Sequence, residues 1–409
     1  MKQTWRWFGP HDTVSTSDIR QAGAQAVVSA LHHLPNGSVW PVEQIRQRQT
    51  EIATMADVQP SGLTWDVVES LPVSEQIKQQ TGQWREHIEN YKTSLENLSA
   101  CGIHVVCYNF MPLLDWTRTD LAYTLPDGAR CMRFDLEDFA AFDIHILQRE
   151  QARNDFPQAI AEEADKRYAT MSDDARNRLA KNIVCGLPGA EEGFSLDTLK
   201  EHLQRYNDIS EQRLQQHQFD FLSEIIPTAE RCNVRLCCHP DDPPFPLLGL
   251  PRIMSSEAHY AKLMQAISSP ANGITLCSGS LGVRSDVDLP GMMNRLGSSV
   301  HFIHLRNIYR ESSGEKISFH ESAHLEGVTD MVALIQAILD EEQRRRELQR
   351  SDASIPFRPD HGQDILSDLQ TESQPGYPAV GRLKGLAELR GIITALSHQK
   401  NSYHVSTTT

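Results

Sequence analysis

Positive charge is scarce in this chain: 39 Lys and Arg face 54 Asp and Glu, a formal balance of -15 over 409 residues. Nucleic-acid affinity comes largely from clustered Lys and Arg displacing counterions, so no nucleic-acid partner is expected. Long apolar runs are missing as well. None has bilayer-spanning length, and the start, Met1 to Phe8, has no apolar stretch of signal-peptide size, so no membrane contact and a cytoplasmic location are expected. The eight cysteines (101, 107, 131, 185, 232, 237, 238, 277) contain no CxxC pair, which removes a structural zinc knuckle and points to reduced thiols. No Gly-rich phosphate loop follows the first predicted strand, since Phe8-Gly9-Pro10-His11-Asp12 is not one, and this argues against a doubly wound dinucleotide fold. Gly279-Ser280-Leu281-Gly282 lacks the Gly two residues before Ser that a nucleophile elbow needs.

What remains is ordinary for a soluble enzyme, with 39% hydrophobic and 23% charged residues. Eight short β-rich runs recur between segments of helical period: Thr4 to Phe8, Ala26 to Leu31, Thr64 to Leu71, His104 to Phe110, Val234 to His239, Gly273 to Cys277, Val300 to Leu305 and Ile355 to Asp360. Several are almost continuously apolar, as parallel strands covered on both faces are. Between them, Leu214, Phe221, Leu222, Ile225 and Ala229 fall on one helical stripe. Met331, Leu334, Ile335 and Ile338 form another, ahead of the charged run Glu341 to Arg346. The expected fold is α/β, a (β/α)8 TIM barrel filling residues 1–409 as one domain. The stretch from Phe110 to Val234 is longer than one barrel helix requires. It predicts a helical insertion after strand 4, residues 115–200, on the catalytic face, with a turn at Gly186-Leu187-Pro188-Gly189 and the barrel helix at Leu203 to Arg231.

Four consecutive predicted strands end on a residue able to bind a metal: His239, Cys277, His304 and Asp360. The carboxyl ends of barrel strands converge on one rim, so two imidazoles, a thiolate and a carboxylate can surround a single ion there. Zinc, ferrous iron and manganese each accept some version of this set. Cys237 lies two residues before His239 and on the same face of its strand, which makes it a rival ligand or a small buried hydrophobe. His320-Glu321-Ser322-Ala323-His324 matches the HExxH pattern of zinc metalloproteases. Short patterns recur by chance, and Lys316, Ser318 and Gly327 point to a loop that enters a helix only near Val328, so these residues are expected at the barrel mouth instead.

The motifs Trp5-Arg6-Trp7-Phe8-Gly9-Pro10, Tyr108-Asn109-Phe110-Met111-Pro112, Asp115-Trp116-Thr117-Arg118-Thr119, His239-Pro240-Asp241-Asp242-Pro243-Pro244, Cys277-Ser278-Gly279-Ser280, His304-Leu305-Arg306-Asn307, Arg358-Pro359-Asp360-His361-Gly362 and Pro375-Gly376-Tyr377 resemble the mannonate dehydratases of the bacterial hexuronate pathway, from end to end. The resemblance implies a xylose-isomerase-like barrel that uses Fe2+ or Mn2+ to convert D-mannonate into 2-dehydro-3-deoxy-D-gluconate and water in glucuronate catabolism. It implies the four ligands already named, with His361 and Tyr377 as the acid and base in either order, and it puts Cys237 where the family carries an apolar residue. Arg306, Asn307 and Asn109 are expected to hold the substrate's carboxylate and hydroxyls, and the chain is expected to be a homo-oligomer. An aldose-ketose isomerase on the same barrel is the alternative, distinguished by the mass of the product; a zinc protease using His320, Glu321 and His324 is the more remote one.

Overall fold

A computed structural model describes residues 1–184 and 195–406, with side chains up to residue 399. Eight parallel strands close into a barrel: β1 (Lys2–Arg6), β2 (Ala26–Ser29), β3 (Thr64–Glu69), β4 (Val105–Tyr108), β7 (Arg235–Cys238), β8 (Ile274–Cys277), β9 (Val300–His304) and β12 (Pro356–Arg358). Each overlaps one of the eight runs read from the sequence. The ring closes where Lys2 and Gln3 of β1 pair with Pro356 and Phe357 of β12. Inside it, Val28, Val67, Val105, Cys107, Cys237 and Phe302 form an apolar plug of their own. A second, larger cluster lies between strands and helices, so the strands are covered on both faces and need no polar alternation.

The helices form where the stripes predict them. Leu214, Phe221, Leu222, Ile225 and Ala229 are all buried on the helix Glu211–Arg231. That helix starts at Glu211 because the Ser210 side chain caps it through Arg213 N. The expected start near Leu203 belongs to a separate helix, Leu196–Gln204. In Met331–Glu347, opened by the Asp330 cap, the charged run is part of the helix: Glu341, Glu342 and Arg345 are buried.

The segment after β4 is not helical throughout. It opens with a hairpin, β5 (Asp120–Thr124) and β6 (Arg130–Phe134), before Leu136–Ala141, Gln158–Thr170 and Asp173–Val184 supply the expected helices. A second hairpin leaves β9 as β10 (Asn307–Arg310) and β11 (Phe319–Ser322), and the two join as an antiparallel sheet in the order β10-β11-β6-β5. Phe319 pairs with Phe134 and His320 with Arg133. Period-2 alternation over four or five residues, split between segments that lie far apart in the chain, is too short a signal to separate from a loop. The turn predicted at Gly186-Leu187-Pro188-Gly189 lies outside the described residues. Among the described residues the seven cysteines are free thiols, and no helix is long and apolar enough to cross a membrane.

Two buried histidines tie stability to pH. Burial, with Arg345 and Arg235 nearby, drives His301 from its ordinary 6.5 to about 3. Burial, with Arg6 and Arg48, does the same to His32. The folded chain therefore keeps both rings neutral where the unfolded chain protonates them, and their contribution is complete above pH 6.5 and lost as pH falls toward about 3. The thermal midpoint is expected to fall across that window, and less steeply in His301→Gln; an equal slope in the variant overturns this assignment.

Candidate metal centre

The strand ends deliver their side chains to one point. The donor atoms of His239, Cys277 and His304 lie within 4.8 Å of one another. His239 Nε2 and His304 Nδ1 are 3.2 Å apart, His304 Nδ1 is 3.7 Å from Asp360 Oδ1, and Cys277 Sγ is 3.7 Å from Asp360 Oδ2. Donors about 2.0–2.3 Å from a tetrahedral ion sit roughly 3.3–3.8 Å from each other; His239, Cys277 and His304 come within 4.8 Å of one another and could share a cation, while Asp360 adjoins two of them with its oxygens already facing Arg358 and Arg306.

The surrounding groups aim the donors. His239 Nδ1 faces Pro240 O at 2.7 Å, and a proton held there leaves the Nε2 lone pair directed at the cluster. His304 Nε2 faces Glu69 Oε1 at 3.4 Å, which favours the opposite tautomer and frees Nδ1. Ser280 N and Oγ point at Cys277 Sγ from 3.5 and 3.2 Å, donors that a thiolate accepts. Asp360 adopts φ 57°, a left-handed conformation that Asp tolerates better than most residues. The turn breaks strand alternation, so the consecutive residues Asp360 and His361 both reach the site.

A buried ion-pair network encloses these donors. Arg358 grips Glu69 with two bonds of 3.0 and 2.8 Å and Asp360 Oδ1 at 2.5 Å. Arg6 adds a contact of 3.1 Å to Glu69. Arg306 reaches Asp242 at 2.7 Å, Glu321 at 2.9 Å and Asp360 at 3.2 Å, while Arg118 forks onto Asp242 at 2.8 and 3.1 Å. Burial by itself raises the Asp360 carboxyl, but Arg358, His361 and Arg306 outweigh it and hold Asp360 well below the carboxylate range. Arg118 and Arg306 do so for Asp242, and Arg358, His304 and Arg6 for Glu69.

His361 Nδ1 lies 2.7 Å from Glu321 Oε1 and 2.8 Å from Arg306 Nη1. With the proton on Nδ1, His361 donates to Glu321 Oε1, which also accepts from Arg306 Nη1 at 2.9 Å. Nε2 is then left unprotonated, 3.8 Å from Asp360 Oδ1. Tyr377 stands edge-on to His361 with ring centroids 5.0 Å apart, and Phe8 closes over Tyr377 at 4.8 Å. Burial raises the Tyr377 phenol above its ordinary value despite Arg358 and Arg6, so it is a proton donor at neutral pH.

The residues expected to hold substrate divide. Arg306 is at the site, but its guanidinium is engaged inside the network. Asn307 is turned away: its amide donates to His324 O and Thr329 O, each at 3.0 Å, and accepts from Ile308 N and Thr329 N, leaving nothing for a ligand. Asn109 is buried near the mouth, 3.5 Å from Ser70 Oγ and hydrogen-bonded to the Asp115 carboxyl. The HExxH residues do not form a metal-binding helix. His320, Glu321 and Ser322 belong to strand β11, where neighbours point oppositely; His320 bonds Glu311 at 2.8 Å, and His324 bonds Pro359 O at 2.6 Å. Cys237 is sealed in the apolar plug, its sulfur 3.6 Å from Val106 O. Glu69, Glu321, Arg118 and Asp242 are the groups that strand-end reasoning passed over. Glu69 and Arg6 do end strands, and that signal was available for both.

The fold and this constellation define a (β/α)8-barrel enzyme with a buried centre that suits a divalent cation beside a histidine-tyrosine pair. A family model for D-mannonate dehydratase (UxuA) matches residues 1–403. The chain is 56% identical over 398 residues to a mannonate dehydratase of Rhizobium meliloti (strain 1021), covering 97% of this chain and 98% of the relative. It is 47% identical over 397 residues to that of Saccharophagus degradans, with the same two coverages. A crystal structure of mannonate dehydratase from Streptococcus suis superposes with TM-score 0.74 at 31% identity, covering 98% of this chain and 95% of that one. The chain belongs to the D-mannonate dehydratase family, whose members are hydro-lyases.

Two variants separate structure from ligation. Cys237→Ala is expected to lower stability by about 1 kcal/mol and to leave divalent-metal uptake unchanged, whereas loss of uptake marks Cys237 as a ligand. Glu69→Gln keeps the shape but strands Arg6 and Arg358 without their shared anion. A loss of about 3 kcal/mol in denaturant unfolding is expected, and an unchanged midpoint contradicts the role given to Glu69.

Proposed function

We propose that this chain dehydrates D-mannonate to 2-dehydro-3-deoxy-D-gluconate and water, as a step of glucuronate catabolism, with Fe2+ or Mn2+ held by His239, Cys277, His304 and Asp360. The observation that carries the reading is the cluster of His239, Cys277 and His304, with Asp360 adjoining, beside the Glu321-held His361 and the buried Tyr377. The chemistry asks for this combination. The C2 proton of a sugar acid is weakly acidic because removing it places further negative charge next to a carboxylate, and a bound divalent cation supplies the charge stabilisation that makes this accessible.

His361 Nε2 takes the C2 proton, because Nδ1 is committed to Glu321. The Tyr377 hydroxyl protonates the departing C3 hydroxyl, which leaves as water. The enol so formed ketonises to the 2-keto product. Phe8 packed over Tyr377 limits water at the proton donor. Arg306 acts here by holding Asp360 and Glu321 in place, and Asn109 is the side chain at the mouth suited to a substrate hydroxyl. A cytoplasmic location accords with the free thiols among the described residues. A homo-oligomer accords with Leu325, Val328, Val332 and Leu383 exposed to solvent.

The test is a dehydration assay on metal-loaded protein, with solvent deuterium exchange at C2 followed in parallel. Wild type is expected to yield a 2-keto acid lighter than substrate by one water, whereas a product of unchanged mass supports an isomerase. His361→Ala should retain metal but lose both turnover and C2 exchange. Tyr377→Phe should lose turnover, by about 100-fold or more, and keep the exchange. Exchange surviving in His361→Ala and vanishing in Tyr377→Phe reverses the two roles.

A further inference from the structure

The rim of the mouth beside β4 carries a carboxylate that the buried network leaves out. Asp115, on the segment joining β4 to β5, is part-exposed, and its carboxyl is hydrogen-bonded to Asn109 at the end of β4. Burial raises that carboxyl above its ordinary value, while Lys78, Asn109 and His239 favour the charged form. It therefore lies near enough to a metal-capable donor, His239, for the two to interact. Among the described residues no Lys or Arg forms an ion pair with it. A carboxylate offers about four acceptor positions, so one amide bond leaves most of them open.

The charged groups around Asp115 are committed elsewhere. Lys78 donates to Glu75 at 2.8 Å and to Met111 O at 2.7 Å, and Glu75 also accepts from Tyr206 at 2.5 Å. Asp241 accepts from Met254 N at 2.7 Å and Ser255 Oγ at 2.6 Å. Arg252 feels Asp115 too, yet it is 2% exposed, its hydrogen bond to Leu114 O is 3.4 Å long, and its charge is shared among Asp241, Asp115 and Asp242. The cation is thus sealed behind the surface while the carboxylate meets the mouth. Acceptors of this kind take hydroxyl groups and repel a second anion. Below the site, the apolar plug of Val28, Val67, Val105, Cys107, Cys237 and Phe302 closes the barrel, so the tail of a sugar acid anchored at the donors can run only outward, toward the rim.

We propose that Asp115 is a specificity-determining residue: it accepts hydrogen bonds from the hydroxyl tail of a sugar acid and turns away acids that carry a second carboxylate at the far end. Asn109 positions it through the bond between them. The inference rests on the sugar-acid reading of the site and adds to it the distinction between an aldonate and an aldarate.

The test is calorimetric titration of Mn2+-loaded His361→Ala protein, expected to hold substrate without consuming it, with D-mannonate and with D-mannarate, the diacid that differs in having a carboxylate at C6. D-Mannonate should bind roughly tenfold or more tightly. Adding Asp115→Asn, which keeps the shape and removes the charge, should weaken D-mannonate roughly tenfold and leave D-mannarate as strong or stronger. A purely structural role weakens both acids alike, and that result overturns the proposal. So does D-mannarate binding as tightly as D-mannonate with Asp115 intact, a comparison that stands even where the Asp115 variant folds poorly. Wild type that binds D-mannonate but releases no 2-keto acid removes the dehydration and leaves this inference in place. Unchanged D-mannonate affinity in Asp115→Asn removes this inference and leaves the dehydration in place, and no affinity for D-mannonate overturns both.

Discussion

Everything at the mouth of this barrel depends on four guanidiniums and four carboxylates held together out of water. Arg6, Arg118, Arg306 and Arg358 interlock with Glu69, Asp242, Glu321 and Asp360, and all eight are nearly or fully buried. Each charge taken singly into such a setting is strongly unfavourable, and only mutual pairing makes the set tolerable. The residues come from every quarter of the barrel: Arg6 from β1, Glu69 from β3, Arg118 from the segment after β4, Asp242 from beyond β7, Glu321 from β11, Arg358 from β12. The network can therefore form only when the ring is closed and both hairpins are docked. In that sense the catalytic face and the completed fold are one cooperative unit. This also accounts for an insertion that looks ornamental in the sequence: Arg118 leads into β5, and the shared sheet fixes Glu321 against His361.

The barrel and its four metal-capable donors were legible because their signals are local. A parallel strand covered on both faces is a short apolar run, and a donor at its carboxyl end can be read without knowing its neighbours. Glu321 carries no such mark, and Glu69, though it does end β3, shows by itself nothing of its role. Glu69 resembles any strand-end acid until Arg358, 289 residues away in the chain, is seen to clasp it. Glu321 sits inside a pattern that reads as a protease motif on a helix. Its first three residues lie instead on strand β11 and alternate, sending His320 outward to Glu311 and Glu321 inward to His361. Secondary structure decides which chemistry a motif can express, and the β10-β11 hairpin is stabilised by a partner hairpin elsewhere in the chain rather than by its own composition.

Asn307 shows the converse failure. Its position after the donor strand made it a natural substrate contact, yet it spends both donors and its carbonyl oxygen on the backbone that launches β10. An amide with every hydrogen-bonding position filled is a structural rivet, and sequence adjacency to a ligand carries no information about that. Arg306, one residue earlier, faces the opposite way and joins the network. The turn from β9 into β10 separates the two residues, whatever their similarity as polar groups.

The neutrality of the network also bears on what the centre can accept. Four positive and four negative charges cancel before any ligand arrives, so the interior presents no net field that would trap an ion of the wrong sign. In the proposed reading, a divalent cation with one thiolate among its ligands would add a single net positive charge, and a sugar acid brings a single negative one. A monoanionic substrate thus restores the balance, whereas a neutral aldose leaves an uncompensated charge buried at the mouth, where low polarisability makes it most unfavourable. The same reasoning explains how a chain with a formal charge of -15 can present an anion-accepting site: its surplus acids lie elsewhere, and the buried arginines are counted against partners of their own. Selection for an acid over a sugar then follows from the electrostatics of the scaffold before any hydroxyl is recognised.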